Sequence, residues 1–429
     1  MAVLAFVIGV LVVVVGLGVS IGLHEIGHLA PAKRFNVETS RYMIGLGPVL
    51  WSKKVGETEY GLKLLPIGGY ISMAGMYAPV RQKTRIRGVL GTLVQDARDA
   101  NHESLEGVDT SRAFFRLPVW KRIVIMLGGP FMNLLLALVL FTVLYSGIGL
   151  QQTTTTVAAV AECVVPAGTE AAECGTDDPA SPAKAAGLLP GDTLVSIDGA
   201  QVATFAEASE IIQAHPDEEL SVVVRRDGAE QELRLTPVLA EREIAGDDGE
   251  VTTQSVGFAG MTAQVARVQQ PLWSGAQATG DSLVRVAGII VQLPVRLWDT
   301  AVDLFTGQPR DADGPLSVVG VGRLAGEVAA AEAPILDRVG AMVGLLGSVN
   351  IALFVFNLIP LLPLDGGHVA IALWDGLKRA WAKLRGAPEP APADATKFVP
   401  VALLVVVFMV AMGALLMAAD LFNPITLGG

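Results

Sequence analysis

The residues best suited to chemistry in this chain form a His-Glu-x-x-His motif, His24-Glu25-Ile26-Gly27-His28. On a helix, positions i and i+4 lie on one face, so His24 and His28 can present two imidazoles to one metal ion. Glu25 lies beside them, where a carboxylate can take a proton from a water that the metal activates. The motif predicts metal-assisted hydrolysis, although five-residue matches of this kind also occur by chance in soluble proteins.

The motif ends an apolar run. Residues 1–23 carry no charged side chain, and about 20 apolar residues are enough to cross a bilayer. Ionisable residues at membrane depth are costly and by default mark function. We therefore expect a metalloprotease whose chemistry lies within the membrane. No Lys or Arg precedes the run and no small-residue cleavage site ends it, so a signal peptide is not predicted.

A catalytic zinc usually takes three protein ligands, and the candidate for the third is Asp365. It lies in the motif Asn-Leu-Ile-Pro-Leu-Leu-Pro-Leu-Asp-Gly-Gly at 357–367, which ends an apolar run at about 341–364. Two prolines interrupt the helix between Asn357 and Asp365, and broken helices at membrane depth are tolerated where they line a polar or water-filled cavity. The alternative is a helix end with a turn outside the membrane.

Together these motifs resemble the site-2 protease family of intramembrane zinc metalloproteases, specifically the bacterial branch that carries an extracytoplasmic PDZ domain. The resemblance implies zinc (Zn2+) held by His24, His28 and Asp365, with Glu25 as the general base. It also implies that Asn357 helps to hold the substrate or the developing oxyanion. The implied substrates are single-pass membrane proteins cut after a first protease removes their outer domain, such as anti-sigma factors and remnant signal peptides. Further matching segments lie at 45–48, 66–70 and 128–133.

The composition agrees with a membrane protein. Of the 429 residues, 52% are hydrophobic and 17% are charged, and the mean hydropathy is +0.51. We predict an α-helical polytopic membrane protein of about four transmembrane helices, with a membrane-associated β element and an extracytoplasmic α+β PDZ domain. The predicted order is a first transmembrane helix with the His-Glu motif (1–32), a cytoplasmic β-hairpin and loop region (33–122), a second transmembrane helix (123–147), the PDZ domain (155–240), a linker and interfacial helix region (241–340), a third transmembrane helix with the Asp365 motif (341–375) and a fourth (398–420).

Basic residues set the expected orientation. Segment 29–122 holds 15 Lys and Arg, whereas the longer segment 148–340 holds 11. The positive-inside rule then places the first segment in the cytoplasm and both termini outside the cytoplasmic (inner) membrane. Both ligand motifs fall at the cytoplasmic ends of their helices. No basic tract with interleaved aromatic residues is present in the sequence, so no nucleic-acid partner is expected.

The first cytoplasmic segment is predicted to contain a β-hairpin. Apolar positions alternate in 42–48 and 59–65, with Gly and Pro between them. We hypothesise that an edge of this hairpin, along 60–66, pairs with the backbone of an unwound substrate. Residues 78–112 are polar and charged and are predicted to be a flexible loop; His102 lies there and is expected to be solvated.

Residues 183–199 resemble the PDZ pattern of bacterial membrane proteases. A helix is predicted at 205–213, and a hairpin at 220–226 and 231–235. PDZ domains bind extended peptides by β-addition, so this domain is expected either to bind a trimmed substrate or to exclude bulky ones. Cys163 and Cys174 are the only cysteines in the sequence; they are expected to form a disulfide, with two inert thiols as the alternative.

Several residues keep two interpretations. Asn133, within Gly-Gly-Pro-Phe-Met-Asn at 128–133, serves either helix packing or the support of a metal ligand. His368 either supports the site or is structural. Residues 283–297 are expected to form an interfacial helix. Two rival functions are a metal transporter, which has no need of Glu25, and a catalytically inactive scaffold.

Overall fold

The computed structural model describes residues 2–79, 89–103, 105, 109–164, 174, 179–245, 251–311 and 314–425. The chain divides into two compact units. We call Met1–Ile148 with Gln270–Gly429 the membrane unit, and Gly149–Gln269 the α+β unit.

Both units are built from elements numbered here along the chain. The helices are α1 (Ala2–Arg34), α2 (Val89–Glu103), α3 (Val119–Thr142), α4 (Pro182–Ala185), α5 (Phe205–Ala214), α6 (Trp273–Thr306), α7 (Val318–Ala330), α8 (Ile335–Asn357), α9 (Asp365–Leu384) and α10 (Val399–Phe422). The strands are β1 (Thr39–Val55), β2 (Thr58–Met73), β3 (Leu150–Val160), β4 (Thr193–Ile197), β5 (Ala200–Gln201), β6 (Leu220–Arg226), β7 (Ala229–Leu235), β8 (Val238–Ala245), β9 (Val251–Phe258) and β10 (Met261–Val268).

Long apolar helices dominate the membrane unit. Among the described residues, five helices are long and apolar enough to cross a membrane: α1, α3 with its π-helical extension to Ile148, α6, α8, and α10 with the 3-10 turn before it. Four of these lie close to the predicted spans. The predicted third span, 341–375, is not one helix, because α8 ends at Asn357 and α9 begins at Asp365. Pro31 lies within α1, which continues to Arg34.

The bundle is held by close helix contacts and by polar pairs. A Cβ on Gly27 of α1 would collide with the backbone of Gly128 on α3, and the reverse is also true, so the two backbones touch. Asn350 of α8 is fully buried and donates its side-chain amide to the Ser20 hydroxyl of α1 at 3.0 Å. Both contacts fix the register of α1, the helix that carries the His-Glu motif.

Helix α6 contacts α3 near its start and the chain after α10 near its end. Its Gly275 packs on Thr142 at the end of α3, and its Asp303 carbonyl accepts a hydrogen bond from Asn423, just after α10. The starts of α3 and α10 also adjoin one another, because Asp375 binds both Arg122 and the backbone of Ala393. Residues 283–297, the predicted interfacial helix, lie within α6, which is longer than predicted.

Strands β1 and β2 form a sheet of four paired segments. Residues 41–44 pair with 59–62 on one side and with 69–72 on the other, while 51–54 pair with 59–62. The order across the sheet is therefore 51–54, 59–62, 41–44 and 69–72. The predicted free edge at 60–66 is wrong for residues 60–62, which are paired on both sides. The edge segments of the described register are 51–54 and 69–72.

The polar segment 78–112 is more ordered than predicted. Helix α2 occupies Val89–Glu103, and short 3-10 turns follow at Thr110–Arg112 and Phe114–Arg116. The ion pair of Arg98 with Asp394, at 2.6 Å, joins α2 to the chain before α10. Tertiary contacts such as this one order a segment that has little apolar periodicity. Residues 80–88, and the side chain of His102, lie outside the described residues.

The α+β unit has a five-stranded antiparallel path, β10-β3-β4-β6-β7, with β5 beside β4 and a separate β8–β9 hairpin. Apolar side chains alternate along the strands and pack against Ala208 and Ile212 of α5. The hairpin turn at Asp227-Gly228 has positive φ at both residues, as a two-residue turn requires. The predicted end of this domain, at residue 240, is too early because β10 pairs with β3.

One disulfide closes a loop of the α+β unit. Cys163 and Cys174 are bonded, with their Cα atoms 6.0 Å apart. Cys163 is buried and forms an isolated bridge with Ala180. Most of the loop between the two cysteines, residues 165–173, lies outside the described residues.

Candidate metal centre

Helix α1 places the two histidines of the motif on one face and turns both rings toward a common point. The Nε2 atoms of His24 and His28 are 3.2 Å apart. The far side of each ring has its own partner. His24 Nδ1 lies 3.1 Å from the Asn133 side-chain oxygen, and His28 Nδ1 lies 2.7 Å from the Ile125 carbonyl oxygen. Because both partners are acceptors, each Nδ1 carries the hydrogen and each Nε2 presents a lone pair.

Asp365 completes a triangle of acceptor atoms. Its Oδ2 lies 3.3 Å from His24 Nε2 and 3.4 Å from His28 Nε2. Two ligands bound at about 2.0–2.1 Å to a tetrahedral zinc ion are about 3.3–3.4 Å apart. The three sides of the triangle therefore match the spacing that one zinc ion requires.

The triangle also needs a cation. Among the described residues, Asp365 Oδ2 is buried and has no hydrogen-bond partner. Two imidazole lone pairs and a carboxylate oxygen that face one another repel unless a positive charge lies between them. A site of two neutral imidazoles and one carboxylate suits zinc. One ligand atom from each of His24, His28 and Asp365 lies within 4.8 Å of the other two, and we call this group the cluster.

A glycine on α3 keeps the space for this arrangement. A Cβ on Gly129 would lie 2.7 Å from two carbon atoms of the His28 ring, and closer still to its Nε2. Any larger residue there would displace the ring. The Gly-Gly pair at 128–129 therefore has two roles, since Gly128 lets α1 approach and Gly129 accommodates the ligand.

The interrupted helix brings Asp365 to the site. Chain 358–364 leaves α8, folds back and leads into α9 with Asp365 as its first residue. A Cβ on Gly366 would collide with the carbonyl oxygens of Leu358 and Ile359, and one on Gly367 would lie 2.5 Å from the Leu362 nitrogen. The two glycines after Asp365 are thus required by the close fold of the loop.

Glu25 lies between α1 and the β sheet. Its side chain is 7% exposed, and a Cβ on Gly69 would lie 3.1 Å from its Cγ. On the other side, the Tyr42 hydroxyl donates to the Gly22 carbonyl of α1 at 2.8 Å. Burial and the neighbouring charge of Glu25 raise the pKa of Tyr42 to about 12, so this hydroxyl stays protonated. The arrangement holds a carboxylate next to the cluster in a nearly dry environment.

Comparison with known proteins decides the family. The model of peptidase family M50 matches residues 12–389. The zinc metalloprotease Rip1 of Mycobacterium tuberculosis is 32% identical over 435 aligned positions, covering 98% of this chain and 99% of the relative. Rip1 of Mycolicibacterium smegmatis is 28% identical with the same coverage. The metalloprotease MmpA of Caulobacter vibrioides is 29% identical over 87% of this chain and 88% of the relative.

The chain belongs to peptidase family M50, the site-2 protease family. It is a zinc metalloprotease with a Zn2+ cofactor, and a multi-pass membrane protein with intramembrane protease activity. Its substrates are membrane proteins in a lipid environment. The membership of the site-2 protease family that the sequence motifs predicted is thereby confirmed.

Three further residues were predicted to serve the site, namely Asn133, His368 and Asn357, and each has its own partner in the structure. Asn133 contacts it directly, through the hydrogen bond to His24, and is 1% exposed. His368 lies one turn after Asp365 on α9, and its ring stacks on Tyr77 with centroids 6.0 Å apart. Asn357 ends α8 and donates its amide to the Leu353 carbonyl at 3.0 Å. The amide has two N–H donors, so its second N–H can contact a substrate while this bond is kept.

Sequence reasoning missed three contributors. The sequence places Gly129 in a segment that suits helix packing. Its contact with His28 cannot be predicted from that segment, because the contact depends on how α3 crosses α1. The Ile125 carbonyl, which fixes His28, is a backbone group and gives no side-chain signal. Tyr42 lies in an alternating strand, and nothing in that pattern indicates that its hydroxyl reaches α1.

Proposed function

We propose that this zinc metalloprotease cuts single-pass membrane proteins within or near their transmembrane segment, after a first protease has removed the outer domain. Anti-sigma factors and remnant signal peptides are the proposed substrate classes. The observation that carries this proposal is the convergence of His24, His28 and Asp365, from the ends of apolar helices, at spacings that suit one zinc ion. We also propose that the enzyme lies in the cytoplasmic membrane with both termini outside.

His24, His28 and Asp365 are the proposed zinc ligands. Bound zinc would polarise the scissile carbonyl and favour deprotonation of the attacking water. Glu25 accepts the proton from that water and later returns it to the leaving amine. Asn357 is proposed to donate the second N–H of its amide to the substrate or to the developing oxyanion, while the first stays on the Leu353 carbonyl.

A strand edge is proposed to hold the substrate in extended form. A transmembrane helix hides its amides in its own hydrogen bonds, so it must unwind before hydrolysis. Segment 69–72 pairs on one side with 41–44, and Gly69 lies against Glu25. An edge next to the general base can add one more strand. We therefore propose that the substrate backbone pairs with 69–72 and not with 60–66.

A cross-linking experiment distinguishes the two edges of the sheet. Both native cysteines are in the disulfide, so a cysteine introduced at Tyr70 would be a lone thiol. Tyr70→Cys should cross-link to a cysteine near the cut site of a bound substrate. Ser52→Cys, on the opposite edge, is the matched control. Equal cross-linking of both variants would contradict the proposed edge.

The α+β unit is proposed to be a PDZ domain that binds peptide or excludes bulky substrates. A cavity of about 260 Å³ lies between α5 and segment 256–261. Its lining combines apolar and amide side chains, including Phe205, Ile212 and Gln213. A helix beside a strand is a setting in which an extended peptide can add to a sheet.

The test of the proposed function is co-expression with candidate substrates. Wild-type enzyme and Glu25→Gln would each be expressed with a panel of tagged single-pass membrane proteins whose outer domains are already truncated. A shortened cytoplasmic fragment made only by the wild type is the expected result. The end of this fragment that the cut creates, identified by mass spectrometry, should map within or near the transmembrane segment. A zinc-loaded enzyme that cuts no member of the panel would contradict the proposed substrate class.

A further inference from the structure

Helix α9 has an apolar face that the rest of the described chain leaves uncovered. Five large apolar side chains of α9 are 55–81% exposed: Leu373, Trp374, Leu377, Trp381 and Leu384. Their spacing of one, three, four and three residues places them on one side of the helix. We call this set the α9 stripe. The opposite side of α9 is buried, with Ala372 2% and Asp375 2% exposed. Five large apolar side chains at such exposure need an apolar partner.

Basic side chains accompany the α9 stripe. The second half of α9 and the residue after it contribute Lys378, Arg379, Lys383 and Arg385. The guanidinium of Arg385 lies over the Trp381 ring, 4.4 Å from its centroid. The acid within this half of the helix, Asp375, is buried and already paired with Arg122 and Lys378. Arg379 is paired with the exposed Glu389 at 3.2 Å, so the positive charge next to the stripe comes chiefly from the exposed Lys383 and Arg385.

A second aromatic and basic cluster continues this surface at the start of α3. A Cβ on Gly376 of α9 would lie 3.3 Å from Val119, the first residue of α3. The next two residues are Trp120, which is 56% exposed, and Lys121, whose ammonium lies 5.6 Å from the Trp120 ring centroid and 5.1 Å from that of Phe35. Tryptophans with neighbouring Lys and Arg mark the boundary between acyl chains and headgroups.

We propose that the α9 stripe inserts among acyl chains while the basic residues beside it bind anionic phospholipid headgroups. The stripe is too apolar for water, and the charge beside it selects a negative partner. Asp365, a proposed zinc ligand, is the first residue of α9. Lipid that fixes the position of α9 therefore also affects the position of Asp365. Lipid composition then becomes a determinant of the site. This binding does not depend on which substrate is cut.

Lipid-selective fluorescence quenching tests the proposal. The full chain would be reconstituted in phosphatidylcholine vesicles that contain an equal fraction of either brominated phosphatidylglycerol or brominated phosphatidylcholine. The difference in quenching between the wild type and a Trp374→Phe, Trp381→Phe variant reports on the stripe alone. We expect the brominated anionic lipid to quench the stripe at least twofold more strongly, with the difference falling as salt is added.

A charge variant and a matched control complete the design. Lys383→Gln with Arg385→Gln removes two positive charges beside the stripe and should bring quenching by the two brominated lipids close to equal at low salt. Arg225→Gln with Arg234→Gln makes the same change in charge on exposed residues of the α+β unit and should leave the preference intact.

Two results would overturn the proposal. Equal quenching by both brominated lipids would show that the stripe meets acyl chains without selecting headgroups. Absence of quenching by either lipid would show that a second copy or another protein covers the stripe. Both results can be obtained with an enzyme that cuts nothing, so a failure here is separate from a failure of the proposed substrate class.

Discussion

Gly129→Ala is the substitution whose effect the structure determines most directly. The new Cβ would lie 2.7 Å from Cδ2 and Cε1 of His28, whereas ordinary contacts begin at 3.4 Å. The imidazole would have to move by at least about 0.7 Å, the difference between these two distances. Such a shift also strains the 2.7 Å hydrogen bond from His28 to the Ile125 carbonyl.

The expected loss is in zinc affinity and in catalysis together. Disturbing the support of a metal ligand typically costs about 10- to 100-fold in metal affinity or activity, which corresponds to about 1.4–2.8 kcal/mol. A misplacement of about 1 Å can by itself cost about 100-fold in rate. We therefore expect Gly129→Ala to bind zinc at least tenfold more weakly than the wild type and to cut more slowly even when zinc is added back.

The assay is zinc content against a graded series of chelator concentrations, measured by mass spectrometry on purified protein. Gly413→Ala is the matched control, because Gly413 lies in a membrane helix and a Cβ there has no neighbour within 4 Å. Alanine in a helix interior is favoured over glycine by about 1 kcal/mol, so this control should be at least as stable as the wild type. Wild-type zinc affinity in a folded Gly129→Ala protein would refute the reasoning.

Three further predictions concern polar contacts. Asn133→Leu should weaken zinc binding by about 10- to 100-fold, whereas Asn133→Asp, which keeps an acceptor oxygen, should retain most of it in the chelator assay. Asp420 and Arg310 form an ion pair at 2.7 Å, and both side chains are 2% exposed. Asp420→Ala leaves a buried charge unpaired and should lower the free energy of unfolding, measured in detergent, by about 3–5 kcal/mol. Adding Arg310→Met to that variant should recover part of the loss. Hydrogen bonds from Arg226 lower the pKa of Asp192 in the folded protein. Their contribution to stability is therefore fully present above the pKa of Asp in the unfolded chain, about 3.9, and is lost as the pH falls through the lower pKa of the folded state. Hydrogen exchange of the α+β unit should accordingly quicken in Asp192→Asn at neutral pH, with a smaller difference from the wild type in acid.

The convergence of His24, His28 and Asp365 was accessible to sequence reasoning because helical spacing and membrane depth are local properties. His24 and His28 lie one turn apart on a single helix, and the apolar runs place Asp365 at a similar depth. The supporting contacts were not accessible, since they depend on how helices cross. Whether Gly129 faces a ring or a lipid is decided by the contact of α1 with α3.

The β element shows a similar limit. Alternation predicted strands at 42–48 and 59–65, and both lie in β1 and β2. Periodicity cannot show which segment of a sheet lies at the edge, because the order of segments is set by pairing over long separations. The chain reverses direction three times between residues 41 and 72, so the segment expected at the edge became internal. The end of the α+β unit was misplaced for the same reason, since β10 returns to pair with β3.

The central claim is that His24, His28 and Asp365 hold zinc while Glu25 moves the proton. The most direct test measures zinc content and substrate cleavage together in Ala variants of the three ligands and in Glu25→Gln, with His215→Ala in the α+β unit as a control for loss of a histidine. The ligand variants should lose both zinc and cleavage, Glu25→Gln should keep zinc and lose cleavage, and the control should keep both. Full zinc occupancy in Asp365→Ala, or cleavage by Glu25→Gln, would contradict the account.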